Sequence, residues 1–191
     1  MTNVTIDPYA SGVLSREVHA RLVANLSGYA EDAGVQPFWL YTSMKDVCSP
    51  SEVEFVRKLP HARAENAKFS MAYVGNSANS PVETRMAAIA AALVRNFVRA
   101  RVMNLGHVLE IIGDGELPAA TVLLIPNFFF SSVEGGEMRS WAKIGLLDML
   151  YARQAAQLPT ILHVSSMKML DKEYGTQFRA FIENHYVTMP L

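Results

Sequence analysis

The run Met71-Ala-Tyr-Val-Gly-Asn-Ser-Ala-Asn-Ser-Pro-Val-Glu-Thr84 leads directly into Arg85-Met-Ala-Ala-Ile-Ala-Ala-Ala-Leu93. A short apolar stretch, a Gly/Asn/Ser loop and an Ala-rich stretch in that order predict strand, loop and helix. This is the layout of a phosphate-binding loop, G-x-x-x-x-G-K-[ST]. In that loop backbone N–H groups cradle the phosphates, the lysine neutralises them and the hydroxyl holds magnesium. Counted from Gly75, Ser80 stands at the second glycine, Pro81 at the lysine and Val82 at the hydroxyl. Pro81 brings no charge and removes a backbone donor. Val82 cannot ligate a metal, and Glu83 adds negative charge where phosphates would lie. Gly75, Asn76, Ser77, Ala78, Asn79, Ser80, Pro81, Val82 and Glu83 thus read as a loop that keeps its frame and lacks its chemical groups. A helix N-terminus still favours an anion through its dipole and free N–H groups, and Glu83 opposes one.

Downstream, the pattern alternates between strand and helix. Phe69–Val74, Ala100–Asn104, Ala120–Ile125, Thr160–Val164 and Tyr186–Met189 are expected strands. Val82–Val98, Gly106–Ile112, Glu137–Ala155 and Met167–Glu183 are expected helices, and Gly113-Asp114-Gly115 is a turn. The unbroken apolar run Ala-Thr-Val-Leu-Leu-Ile at 120–125 suits a strand covered on both faces. Five short strands separated by helices predict an α/β fold with a five-stranded parallel sheet and right-handed crossovers.

Upstream, residues 1–66 read as a helical accessory segment and 67–191 as the α/β domain. Leu14, Val18, Leu22 and Leu26 recur every four residues, which predicts a helix from about 13 to 30. Ser49-Pro50-Ser51-Glu52 is a helix start with Ser as N-cap, Pro at the first helical position and Glu three residues after the cap. The helix it opens is expected to stop before Pro60.

Of 191 residues 50% are hydrophobic and 18% charged, enough apolar material for one core. The net charge is −1, and both halves are balanced: seven Lys/Arg against eight Asp/Glu in 1–70, ten against ten in 71–191. Global charge therefore selects no nucleic-acid or membrane partner. One cysteine, Cys48, allows neither an internal disulfide nor a cysteine-built zinc site. No secretory signal and no membrane-length apolar run are visible. A soluble protein of a reducing, cytoplasmic compartment is expected, with no metal and no cofactor.

Residues 70–190 resemble the ATPase domain of the bacterial helicase loaders DnaC and DnaI and of the related transposition helper IstB. Arg85–Leu93 falls on that family's "HLAxAI" helix. Arg99–Leu109 is similar to its second strand and following helix. Val122-Leu-Leu-Ile-Pro-Asn127 falls on the "LLIDD" strand, Leu158-Pro-Thr-Ile-Leu-His-Val-Ser-Ser166 on the "kPTIlTSN" sensor strand, and Tyr174–Ile182 on the "yGxrlxxRi" helix. The resemblance implies a P-loop NTPase-like fold of the AAA+/RecA type. It also implies a partner that is a replicative helicase or an active ATPase of the same family, in a replication or mobile-element complex. Pro126 and Asn127 stand where the family's acids hold magnesium, and Ser165 or Ser166 where its sensor asparagine lies. The family's trans-acting arginine falls near Phe181, with Arg179 two residues away. Phosphoryl transfer depends on positioned charge and metal, so ATP hydrolysis is not expected.

Other residues invite separate readings. Arg95, Arg99 and Arg101 form the densest basic stretch, either a DNA-contacting patch or a solvated helix end. His107, Glu110 and Asp114 have weak metal spacing. His163 with Ser165 suggests a base and nucleophile, without an orienting acid. Phe128, Phe129 and Phe130 follow a buried strand at the sheet edge where α/β proteins place their sites, as core caps or as a docking surface. Trp39 and Tyr41 are further docking candidates. The expected function is a catalytically inactive ATPase-like adaptor or regulator working through protein contacts, as a monomer or in a homo- or hetero-oligomer. The alternatives are a ligand-binding or enzymatic α/β protein using Asn127, Glu134, Glu137 and Ser165, and a DNA-binding accessory protein.

Overall fold

The structure, a computed structural model, describes residues 7–62, 67–77, 81–129 and 138–191. Its centre is a five-stranded sheet made of β1 (Ser70–Val74), β2 (Ala100–Val102), β3 (Val122–Ile125), β4 (Thr160–Val164) and β5 (Tyr186–Pro190). Every pairing is parallel, in the order β2-β3-β4-β1-β5. β4 therefore lies between the strand before the Gly75 loop and the strand before Pro126. Period-two alternation sends Met71 and Tyr73 to one face and Ala72 to the other. Val122, Leu124 and Ile161 go with the first, and Leu123, Ile125, Leu162 and Val164 with the second. The inner strands are covered on both faces, which is why β3 reads as an unbroken apolar run.

The first face carries α3 (Pro50–Lys58) and α4 (Val82–Arg95), with Val82, Met86, Ile89, Ala90 and Leu93 in the core. The second carries α5 (Leu105–Gly113), α6 (Ser140–Ala155), α7 (Met167–Tyr174) and α8 (Thr176–His185). The capping box opens α3 as expected. The Ser49 N–H donates to Glu52 Oε2 at 2.6 Å, and the Glu52 N–H donates to Ser49 Oγ at 3.4 Å.

Two expected helices are broken in the structure. The span 13–30 divides into α1 (Arg16–Ala24) and α2 (Leu26–Ala33), because Asn25 leaves the helical region at φ −138°, ψ 45°. The apolar stripe breaks there as well, since Val18 is exposed while Leu14 and Leu22 are buried. The span Met167–Glu183 divides at Gly175, whose φ of +95° separates α7 from α8. Smaller differences are at element ends: α4 stops at Arg95 and β2 at Val102, and α6 begins at Ser140. Glu137, expected to open α6, lies outside the described residues.

The segment before the sheet packs into the cores of the α/β layers. Met44, Cys48, Leu59 and Ala62 join the first-face core, while Leu14, Leu22, Ala30 and Leu40 cluster with Ala91 of α4. At the edge of the sheet opposite the Gly75 loop, the buried Arg153 ties down the starts of β3 and β4. It donates from Nε to Thr160 Oγ1 at 3.0 Å, from Nη1 to the Ala120 carbonyl at 3.0 Å and from Nη2 to the Pro159 carbonyl at 2.9 Å. Among the described residues no helix is long and apolar enough to cross a membrane.

Candidate functional site

The Gly75 loop, Pro126 and the end of β4 meet at the carboxyl edge of the sheet, where open α/β sheets bind ligands. Gly75 follows β1 at φ +149°, and a Cβ there would approach Leu191 Cβ to 2.9 Å. The Leu191 N–H donates to the Val74 carbonyl at 3.2 Å, so the chain beyond β5 crosses over the start of the loop. Glycine is required here by that packing as well as by its backbone angle. Asn76 and Ser77 are exposed, and Ala78, Asn79 and Ser80 lie outside the described residues. Pro81 caps α4 without a side-chain hydrogen bond, Val82 turns into the core, and Glu83 sits exposed in the first turn.

His163 ties these parts together. Its Nε2 lies 2.9 Å from the Gly75 carbonyl oxygen and its Nδ1 3.0 Å from the Pro126 carbonyl oxygen. The Phe128 N–H donates to the His163 carbonyl at 3.0 Å, and the Gly75 N–H to the Val164 carbonyl at 3.0 Å. Carbonyl oxygens only accept, so both ring contacts are hydrogen bonds together only when both nitrogens carry protons. The imidazole, 5% exposed, spans the gap between the Gly75 loop and Pro126 at the end of β3. With both nitrogens facing carbonyls, His163 does not serve as a base for Ser165, which is exposed. Ser166 is the N-cap of α7, accepting from the Met169 N–H at 3.1 Å.

Behind the loop lies a buried polar cluster. Glu52, 1% exposed, accepts a hydrogen bond at Oε1 from the Tyr73 hydroxyl and at Oε2 from Arg85 Nη1 at 3.4 Å. Tyr73 precedes the loop and Arg85 follows it, so Glu52 fastens α3 to both of its flanks. Burial, and then the hydrogen bond to Glu52, pushes the Tyr73 hydroxyl well above the usual phenol range. Burial followed by the nearby Glu52 pushes the Cys48 thiol up to about 12, so it is an unreactive thiol. Arg85 is the cation nearest the loop in sequence among the described residues, and it is turned onto Glu52. One opening at this edge is a shallow cleft of about 510 Å³, lined among others by Glu31, Trp39, Glu83, Thr84, Asn104 and Pro126. Its two charged side chains are both carboxylates, a poor setting for polyphosphate.

The other sequence candidates separate. Phe128 is fully buried, 5.2 Å from Tyr174 between ring centroids, and its carbonyl accepts from the Tyr174 hydroxyl at 2.8 Å. Phe129 is buried too. Of the two readings, core cap or docking surface, both take the core-cap place; Phe130 lies outside the described residues, as do Glu134 and Glu137. Asn127 is exposed beside them. The basic patch also dissolves. Arg95 is buried with Nη1 at 2.9 Å from the Thr42 carbonyl and 3.1 Å from that of Trp39, which leaves Arg99 exposed and Arg101 half-buried on β2. His107 and Glu110 pair at 3.1 Å on the surface. Among the described residues no group of three or more His, Cys, Asp or Glu is placed to hold a metal ion. Phe181 is buried, and Arg179 is engaged with Glu183 at 2.8 Å.

Sequence reasoning noticed Glu52 only as a helix cap and His163 only as a catalytic candidate. A signal for the first was the Tyr in the middle of an otherwise apolar strand, since a buried phenol needs a partner.

No protein-family model matches the chain, and no curated protein matches it. Solved structures do. The structure of DnaI aligns with a TM-score of 0.58 at 16% identity, over 82% of this chain and 90% of that one. A candidate primosome component from Streptococcus pyogenes serotype M3 aligns with a TM-score of 0.58 at 11% identity, over 87% and 96%. The DnaC helicase loader aligns with a TM-score of 0.54 at 10% identity, over 80% and 98%. At these identities the likeness is one of fold. The chain has the P-loop NTPase-like, AAA+-like α/β fold that these replication proteins share.

Proposed function

We propose that this chain is an ATPase-fold protein without phosphoryl-transfer chemistry, working through protein contacts as a helicase-loader-like adaptor or regulator. The setting is DNA replication or a mobile-element complex, and the partner a replicative helicase or an active ATPase of the same fold. The observation that carries the reading is His163. It bonds the Gly75 loop to the Pro126 strand, the two parts that a nucleotide and its magnesium would otherwise bridge. The two ends of the frame, Gly75 and Pro126, are braced from within by a protein side chain. Pro81, Val82, Pro126 and Asn127 at the positions of the lysine, hydroxyl and acids support the same reading. Glu31 and Glu83 beside the loop add to it.

Such a protein occupies a subunit-like place in an assembly without firing. The experiment is affinity capture of the intact protein from native lysate, with mass-spectrometric identification, alongside calorimetric titration with ATP and magnesium. Enrichment of a replicative helicase or a homologous ATPase with no heat from ATP is expected. ATP turnover by the purified protein, abolished by substitution within 75–83, would overturn the reading.

A further inference from the structure

At the far end of α4 the chain reverses through Phe97, a non-glycine residue at φ +59°. The Phe97 N–H donates to the Val94 carbonyl at 2.9 Å and the Val98 N–H to the Leu93 carbonyl at 3.0 Å, closing the helix in the usual left-handed way. Glycine adopts this backbone at least cost, and a polar residue would suit the solvent. The corresponding turn after α6 carries Gln157 at φ +55°. Phe97 is instead 70% exposed. The His19 ring stacks on it at 6.1 Å and 11°, and His19 Nε2 lies 3.2 Å from the Arg95 carbonyl oxygen, so the aromatic ring is held projecting. An exposed, conformationally costly aromatic with a supported orientation calls for a contact outside the chain.

The ring forms one wall of an apolar pocket of about 300 Å³ where α1, α2 and the end of α4 converge, lined also by Leu22, Tyr29, Ala33, Val94 and Val98. Two charges line it, Asp32 and Arg99. Neither side chain forms an ion pair or hydrogen bond with the other or with any described residue. One patch thus presents a projecting ring, a cavity able to take such a ring, one unpaired acid and one unpaired base.

A patch that carries both halves of each contact is complementary to itself, which is what a two-fold interface requires. We propose that a second copy of this chain docks here. Phe97 of each copy covers the pocket of the other, and Arg99 of each meets Asp32 of the other. The near-zero net charge of −1 sets no long-range barrier against two copies meeting. This interface does not depend on the adaptor reading, since it lies at the opposite end of α4 from the Gly75 loop.

The test is sedimentation equilibrium of the intact protein over about 1–200 μM, the range in which modest interfaces associate. The variants are Phe97→Gly, Phe97→Gln, Asp32→Arg, Arg99→Asp and the double Asp32→Arg/Arg99→Asp. The parent is expected to dimerise, and each single variant to weaken the dimer at least about tenfold. The double exchange should restore it to within about threefold, because the swapped charges again meet across the interface. Phe97→Gly relieves the backbone while removing the ring, so its loss of dimer cannot be put down to misfolding, and thermal melting checks this. A monomer throughout the range overturns the proposal, as does a dimer indifferent to Phe97 or a double exchange that fails to rescue. Capture of a different protein through this face by a monomeric chain overturns it too.

Discussion

His163 Nε2 sits 2.9 Å from the carbonyl oxygen of Gly75, 88 residues earlier in the chain. With the Pro126 contact at Nδ1, one side chain of β4 links the ends of β1 and β3 at the carboxyl edge of the sheet.

Replacing His163 with Leu keeps the site filled and leaves two carbonyls without a donor. We expect a loss of about 1–3 kcal/mol in denaturant unfolding, the range for stranding a buried polar group. Hydrogen exchange of the Gly75 amide should quicken at the same time. Nitrogen shifts of the His163 ring read the donors directly. A His163→Leu protein as stable and as protected as the parent would sink the brace.

Glu52 makes a second, separable prediction. Tyr73→Phe removes one donor while the Ser49 N–H and Arg85 remain, a loss of about 1.5–3 kcal/mol for a hydrogen bond to a charged group. Glu52→Ala strands both Arg85 and the Tyr73 hydroxyl in the interior, a loss of about 3–5 kcal/mol. Urea midpoints of the two variants decide it: equal losses would mean that Arg85 takes no support from Glu52.

The contrast between these sites explains what the sequence made legible. β4 matches its expected bounds, Thr160–Val164, and β3 falls within its expected run, because both are buried along their whole length and carry mainly apolar, β-branched residues. The α3 cap was readable because all of its partners lie within four residues. His163 joins residues 37 and 88 positions away, and Glu52 joins Tyr73 21 positions on. Such pairings depend on strand order, which periodicity does not encode. Phe128 stood open between core cap and docking surface, and Arg95 between DNA patch and solvated helix end, because their burying partners, Tyr174 and Thr42, lie 46 and 53 positions away. Val18 shows the limit of a spacing-four stripe, since it lies within α1 and is exposed while Leu22, one turn on, is buried.

Cys48 sets the alkaline behaviour. Its thiol is raised from an ordinary value of 9.0 to about 12 in the folded protein, first by burial and then by Glu52. The folded state therefore holds this proton more tightly than the unfolded state. Stability from this group is fully present below pH 9 and falls as pH rises from there toward 12, with a slope approaching about 1.4 kcal/mol per pH unit. Cys48→Ala should flatten the decline between about pH 9 and 10, before the buried tyrosines contribute strongly. Parallel slopes for parent and variant in urea unfolding would refute this assignment.

Arg95 separates a structural cation from a nucleic-acid contact. Burial pushes its guanidinium down to about 10, which leaves it charged at neutral pH, surrounded by the carbonyls of Trp39, Leu40 and Thr42. A DNA contact would give a variant of unchanged stability, weaker binding and a salt slope reduced by about one. The buried clamp predicts the reverse for Arg95→Met. Unfolding free energy should fall by about 1.5–3 kcal/mol, hydrogen exchange should quicken across residues 37–42, and the salt slope of any DNA binding should stay as it was. Because Arg99 remains exposed, Arg99→Ala is the matching control, and it should leave stability within about 0.5 kcal/mol of the parent.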